Sequence, residues 1–193
     1  MDNNVIFYIF GKSGVGKDTI INKVIEKTPF LHKLNTYTTR PMREGEVNGD
    51  QYIFLSQHEF VEMKDQDTFM ETRKYEFIHN GFLMDVYYAT GKPKEKISIC
   101  CAGDTDIYGN IIVPENTMII PILITIDEEE RLYRMIKRDI DISQHVDKQT
   151  IHRFFRDNRE FKHIGYHRII ENHDIDSSVN ELCDFINEFV KEV

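Results

Sequence analysis

The chain has 193 residues, 40% hydrophobic and 11% aromatic, enough for one compact domain with a buried core. A formal net charge of −9 argues against a nucleic acid polymer as partner over any broad surface. No run approaches the roughly 20 apolar residues of a membrane-spanning helix.

Val5–Phe10 is a short apolar run ending at glycine, the pattern of a buried strand. It is too short for a signal-peptide core and has no basic residue before it, so a cytoplasmic location is expected. Asp18–Lys27 follows with Ile20, Ile21, Val24 and Ile25 at helical spacing. From Leu31 to Tyr88 the chain is more polar, with short strand-like runs such as Tyr52–Leu55. Ser56-Gln57-His58-Glu59 reads as a capping box for a helix carrying Phe60 and Met63. Ile97–Cys101 and Ile119–Ile126 read as further buried strands. Asp127 with Glu130 predicts the cap of a helix through about Lys137, and a longer helix is predicted over about Asp147–His163. His167–Glu171 reads as a last strand, and Ser178 with Glu181 as the opening of a final helix. Strands alternating with helices predict an α/β fold with a mostly parallel sheet covered on both faces.

Cys100, Cys101 and Cys183 form no CxxC pair and leave an odd count. This argues against a disulfide framework and fits a reducing compartment. Cys100 and Cys101 lie in an apolar segment and are expected to be buried structural thiols.

Gly11-Lys12-Ser13-Gly14-Val15-Gly16-Lys17 satisfies GxxxxGK, after a predicted strand and before a predicted helix. Glycines there let backbone N–H groups wrap a phosphate, and the helix N-terminus adds a favourable dipole. The phosphate-binding set is then Gly11, Ser13, Gly14, Val15, Gly16, Lys17, Asp18 and Thr19, with Lys17 reaching the β/γ-phosphates. Asp18 stands where a Ser or Thr hydroxyl normally touches Mg²⁺. It either ligates Mg²⁺, directly or through water, or only favours the helix N-terminus; Thr19 offers a hydroxyl to a phosphate instead.

Arg40 and Arg43 stand among hydroxyls and ahead of Gly45 and Gly49. They can converge on one phosphate with guanidinium forks, with the Tyr52 hydroxyl completing the cradle. The plain alternative is a polar loop whose arginines pair with Glu44 and Glu46. Six of the ten arginines fall between Arg131 and Arg159, local groups that suit a small anionic ligand better than a polymer.

Thr38 to Phe54 carries every fixed position of TTRxxRxGExxGxxYxF and resembles the GMP-phosphate site of guanylate kinases. The likeness extends over nearly the whole chain, strongest across 5–20, 36–60 and 120–174 and weakest across 76–118. It implies a single P-loop kinase domain: a core at about 1–30, 94–133 and 164–193, an acceptor-binding lobe at about 31–93 and a lid at about 134–163. It implies phosphoryl transfer from ATP to GMP with Mg²⁺, no membrane partner, and a monomer or homodimer. By position, Arg40, Arg43 and Tyr52 hold the acceptor phosphate and Glu71 reads the guanine edge. Guanine N1–H and N2–H are two donors that one carboxylate accepts, whereas adenine has no N1–H. Thr36 matches a base-contacting hydroxyl, and Tyr87-Tyr88-Ala89-Thr90 resembles the family's YYGS, giving Tyr88 to the phosphate and Thr90 to guanine. Arg134 and Arg138, i,i+4 on a predicted helix, and Arg153 resemble the lid arginines that meet the transferring group; with Lys17 they form the catalytic set. Arg131, Arg156 and Arg159 read as solvated helix ion pairs. Asn172 matches a family asparagine near the adenine end.

Two features depart from the family. Extra residues stand between Glu71 and Tyr88, including the plausible turn Asn80-Gly81. The DxD-type motif is absent, with Asp104 or Asp106 as the available replacements. His163 and His167 are interrupted by Gly165 and no HExxH occurs, so structural or surface roles are expected for the histidines. Two other functions fit the resemblance: a related kinase for another acceptor such as ribose bisphosphate, whose branch shares GKD but need not keep both arginines, and a non-catalytic guanylate-kinase-like binding module, which tends to lose the phosphate loop.

Overall fold

The computed structural model describes residues 3–42, 45–79, 81–102, 111–162 and 164–192. β1 (Asn4–Phe10), β2 (His32–Lys33), β7 (Ile97–Ala102), β8 (Thr117–Thr125) and β9 (Arg168–Glu171) form a parallel sheet in the order β2-β7-β1-β8-β9. β1 is central, and its side chains alternate between two buried faces. Phe7 and Ile9 pack with Ile20, Ile21 and Val24 of α1 (Lys17–Lys27) and with Val179, Leu182 and Ile186 of α5 (Ile175–Glu192). Ile6, Tyr8 and Phe10 face Leu34, Met70, Cys100 and Leu123 on the other side. A strand covered on both faces is apolar at every position, which is why Val5–Phe10 shows no alternation. Truncating a core ring such as Phe7, which meets Phe185 and Phe189 edge-on, costs about 3–5 kcal/mol.

From β1 the chain builds outward to β7 on one side and to β8 on the other, so the strand order reverses at its carboxyl end. Open α/β sheets bind ligands at that reversal, and Gly11–Gly16 begins there.

A second sheet has the order β4-β3-β6-β5, from β3 (Thr36–Thr38), β4 (Ile53–Phe54), β5 (Phe69–His79) and β6 (Phe82–Gly91). α2 (Gln57–Asp65) covers it, packing Phe60 with Tyr37, Phe69 and Ala89. The capping box forms as expected: Glu59 N–H donates to Ser56 Oγ at 3.2 Å, and Ser56 N–H to Glu59 Oε2 at 2.7 Å. The extra residues before Tyr88 lengthen the β5–β6 hairpin, paired from Phe69↔Gly91 to His79↔Phe82. At its turn Gly81 has φ +81°, a left-handed conformation that favours glycine; Asn80 lies outside the described residues.

Helix boundaries differ from expectation at the ends of the third and fourth helices and at the start of the fifth. α3 (Glu128–Ser143) runs past Lys137, the expected end, because nothing in Asp139–Ser143 breaks a helix. Gln144, at φ +60°, ends it, and the buried Asp139 carboxylate accepts from Asp147 N–H at 3.0 Å to fix the elbow. Asp147 in turn caps α4 (Lys148–Glu160) by accepting from Gln149 N–H at 2.9 Å. Asp127 occupies the N-cap position of α3 without a side-chain capping bond. α5 opens earlier than Ser178, with Asp174 accepting from Ser177 N–H at 2.8 Å.

Cys100 and Cys183 are buried, and Cys101 is half-buried rather than buried. Burial pushes the Cys100 thiol well up; at Cys101 burial, then the charge of Asp18, pushes it up to about 12. All three are free thiols. Among the described residues no helix is long and apolar enough to cross a membrane.

Candidate active site

The phosphate loop is held in shape by its own backbone. Lys17 Nζ donates to the carbonyls of Gly11 at 2.7 Å and Lys12 at 3.0 Å, folding the side chain back over the loop. Gly16 has φ +91°, and a Cβ there would lie 2.5 Å from Asn172 Nδ2, so conformation and space both require glycine. That same amide donates to Val15 O at 2.8 Å while Ser178 Oγ donates to Asn172 Oδ1 at 3.1 Å. Asn172, matched to the adenine end, thus braces the loop directly. Asp18 is half-buried in the first turn of α1 and Thr19 is exposed.

Helices α3 and α4 grip the loop from outside. Arg153 donates to Ser13 Oγ at 2.9 Å, and the Asp157 carboxylate accepts from Ser13 N–H at 2.7 Å. Burial works against the charged carboxylate, but the Ser13 bonds and then Arg156 and Arg153 prevail and hold Asp157 below its usual range. Arg138 stands near Arg153: burial and then the like charge of Arg153 pull its guanidinium below its ordinary range, against Asp139, Asp18 and Glu46. Two mutually repelling guanidiniums beside a phosphate loop form a site for negative charge. Arg134 turns elsewhere, donating to Glu130 at 2.8 Å and to the Asn172 carbonyl at 3.0 Å.

Arg131 is not a solvated ion pair. It is 0% exposed, donates to Glu128, Ser13 O and Asn158 at 2.6 to 3.0 Å, and lies 4.2 Å from the Phe154 ring centre. Burial of a guanidinium requires such complete pairing. Its spacing of four from Met135 and eight from Asp139, both buried on α3, was the available signal. Arg156 is likewise not simply solvated, since it stacks over Tyr75 at 4.7 Å and pairs with Asp157 at 3.0 Å. Arg159 is exposed and pairs with Glu160, as expected.

On the acceptor side, Arg40 is 4% exposed and makes a fork–fork pair with Glu46, both contacts at 2.6 Å. It also stacks on Tyr52 and Phe54 at 5.3 and 5.1 Å. The pairing with Glu46 is the surface-loop alternative, in a buried setting. Arg43 and Glu44 lie outside the described residues, as do Asp104, Asp106 and His163. Enclosure, and then the charge of Asp18, pushes the Tyr52 phenol far above its ordinary range, so it remains a neutral hydrogen-bonding group. Tyr88 packs edge-on against Tyr52 at 5.7 Å.

Glu71 is buried among donors. Arg73 holds it through Nε at 2.9 Å and Nη2 at 2.8 Å, Thr90 Oγ1 donates at 2.6 Å, and Tyr8 OH reaches it at 3.5 Å. The structure thus brings Thr90 and Glu71, both expected at the guanine base, into direct contact, and Arg73 was missed; its i,i+2 spacing on a strand, which puts both side chains on one face, was the signal. Thr36 spends its hydroxyl on Gln51 O at 2.7 Å. Among the described residues no group of three His, Cys, Asp or Glu gathers to hold a metal. Asp18 offers one carboxylate beside Lys17, which suffices where substrate phosphates supply other oxygens to Mg²⁺.

A family model described as guanylate kinase matches residues 3–189. A guanylate kinase of Syntrophomonas wolfei is 29% identical over 189 residues, covering 94% of this chain and 91% of that protein. A guanylate kinase of Prochlorococcus marinus is 38% identical over 98 residues, 50% of this chain and 49% of that one. The crystal structure of guanylate kinase from Anaplasma phagocytophilum superposes with a TM-score of 0.60 at 19% identity, covering 96% of this chain and 86% of that chain.

Proposed function

The chain belongs to the guanylate kinase family, a phosphotransferase acting on nucleoside monophosphates, and from that premise we propose that it converts ATP and GMP to ADP and GDP. The observation that carries this is a pair of built groups: Lys17 Nζ lies over the loop, 2.7 Å from the Gly11 carbonyl, with Arg153 2.9 Å from Ser13 Oγ, and the buried Glu71 carboxylate gathers Arg73 and Thr90 at 2.6 to 2.9 Å.

In this reading the loop N–H groups and Lys17 hold the β- and γ-phosphates, and Arg138 and Arg153 neutralise charge developing on the transferring oxygens. Arg134 supports the lid from the Asn172 side. Asp18 is the residue that would hold Mg²⁺; the ion, when bound, neutralises charge on the phosphate oxygens. Residues 31–93 act as the acceptor lobe. Arg40, released from Glu46, joins Arg43, Tyr52 and Tyr88 on the GMP phosphate. Glu71, with Thr90 orienting it, accepts guanine N1–H and N2–H as Arg73 yields its place; Thr36 supports the loop beside them. An acceptor-phosphate oxygen then attacks the γ-phosphorus in line as the bond to ADP breaks, and no side-chain nucleophile is needed. Residues 134–163 act as the lid and exclude water from the site. A cytoplasmic setting suits these substrates.

The test is Arg43→Ala. The KM for GMP should rise about 10-fold to 100-fold with the loss of a guanidinium–phosphate contact, while ATP binding stays near wild type. Unchanged GMP kinetics would sink the acceptor assignment.

A further inference from the structure

The lengthened β5–β6 hairpin docks on lid helix α4, a contact that the reaction above does not use. Ile78 N–H donates to the side chain of the buried Gln149 at 2.8 Å. Arg156, seven residues along the same helix, lies 4.7 Å from the Tyr75 ring centre. Tyr75 meets Tyr88 at 5.5 Å, Tyr88 meets Tyr52 at 5.7 Å, and Arg40 lies 5.3 Å from Tyr52. A continuous stack of two guanidiniums and three phenols therefore joins the lid helix to the acceptor-phosphate arginine. Cation–π and edge-to-face contacts of this kind are directional, so displacement at one end is felt at the other. At the lid end Arg156 also pairs with Asp157 at 3.0 Å, and Asp157 holds Ser13 N–H at 2.7 Å.

We propose that Tyr75 and Arg156 are positioning residues that make acceptor binding tighten donor binding. The inference rests on the kinase assignment above. When Arg40 exchanges Glu46 for an acceptor phosphate, Tyr52 must follow its stacked guanidinium. The shift passes through Tyr88 and Tyr75 to Arg156, which draws Asp157 from Ser13 and frees that N–H beside the donor phosphates. Gln149 anchors the hairpin so that the stack moves against a fixed helix. The coupling is reciprocal, so a donor nucleotide also tightens the acceptor.

The experiment is calorimetric titration of a non-hydrolysable ATP analogue with Mg²⁺, with and without saturating GMP. Wild type should bind the analogue at least about fivefold more tightly with GMP. Tyr75→Leu and Arg156→Met should reduce the gain to about twofold or less, whereas Tyr75→Phe, which keeps the ring, should retain it. If Arg156→Met fails to fold, the Tyr75 pair decides. Wild-type coupling in Tyr75→Leu, or a wild type that phosphorylates GMP without coupling, overturns the inference. Tyr75-dependent coupling with a different phosphorylated acceptor, in an enzyme silent on GMP, would sustain the inference and overturn only the choice of GMP.

Discussion

The proposed donor and acceptor sides keep their charged groups in different ways. In the phosphate loop Lys17 rests on neutral carbonyls of its own turn, and Gly16 and Asn172 fix the backbone. A phosphate entering there displaces weakly competing dipoles. On the acceptor side, Arg40 is forked to Glu46 and Glu71 to Arg73, full opposite charges with good geometry. A ligand must offer a dianion to win Arg40 and paired donors to win Glu71. The preformed side favours ready binding. The self-neutralised side favours selectivity, because a poor ligand leaves buried charges worse paired than before.

Glu71→Gln strikes the selective side hardest. In the proposed reading it turns one of the two oxygens that accept from guanine into a donor amide and leaves Arg73 without its charge partner, so kcat/KM for GMP should fall about 10³-fold. Equal losses for GMP and AMP would contradict base reading by Glu71. Gly16→Ala tests the preformed side. The new Cβ at 2.5 Å from Asn172 Nδ2 displaces the loop, and kcat/KM for ATP should fall about 10²-fold, the scale of an ångström misplacement. Normal ATP kinetics would show that the loop does not depend on this fit.

Glu46→Gln sharpens the contrast in the opposite direction. With the competing carboxylate gone, Arg40 should take the acceptor phosphate more readily and the KM for GMP should fall by at least about fivefold, because the competing pair is a buried one. A raised KM would mean that Glu46 aims Arg40 instead of blocking it. The smallest effect concerns pH. Asp157 is held below its ordinary range, so its contribution is complete above the unfolded carboxylate value of about 3.9 and is lost as pH falls through the lower folded value. Acid unfolding of Asp157→Asn should therefore show a shallower acid limb below about pH 4, and an unchanged limb would remove Asp157 from the lid–loop link.

The donor side was largely legible in the sequence because its geometry is local: a strand, three glycines and a lysine define the loop within seven residues. β1 was legible as a short unbroken apolar run and α1 from its helical spacing, for the same reason. The acceptor motif singled out Arg40, and the family likeness singled out Glu71 and Thr90 as candidates, but their partners depend on pairings that no motif carries. Glu46 and Arg73 compete with substrate only because side chains meet across folded backbone. Arg131 and Arg156 were misjudged because a helix charge looks solvated until the neighbouring helix is packed against it. The end of α3 was placed too early, near Lys137, because polarity over Asp139–Ser143 reflects a buried capping carboxylate and an exposed helix face, not a break. Arg43, Asp104 and Asp106 lie outside the described residues, so their assignments rest on the family likeness alone.

The most direct measurement of the central claim is ADP production from Mg-ATP with GMP, dGMP, AMP, UMP, CMP and ribose bisphosphate offered separately. Rapid turnover with GMP, alone or together with dGMP, is the predicted result. Preference for any other acceptor would contradict guanine reading by Glu71, and silence with all six alongside weak ATP binding would contradict catalysis itself.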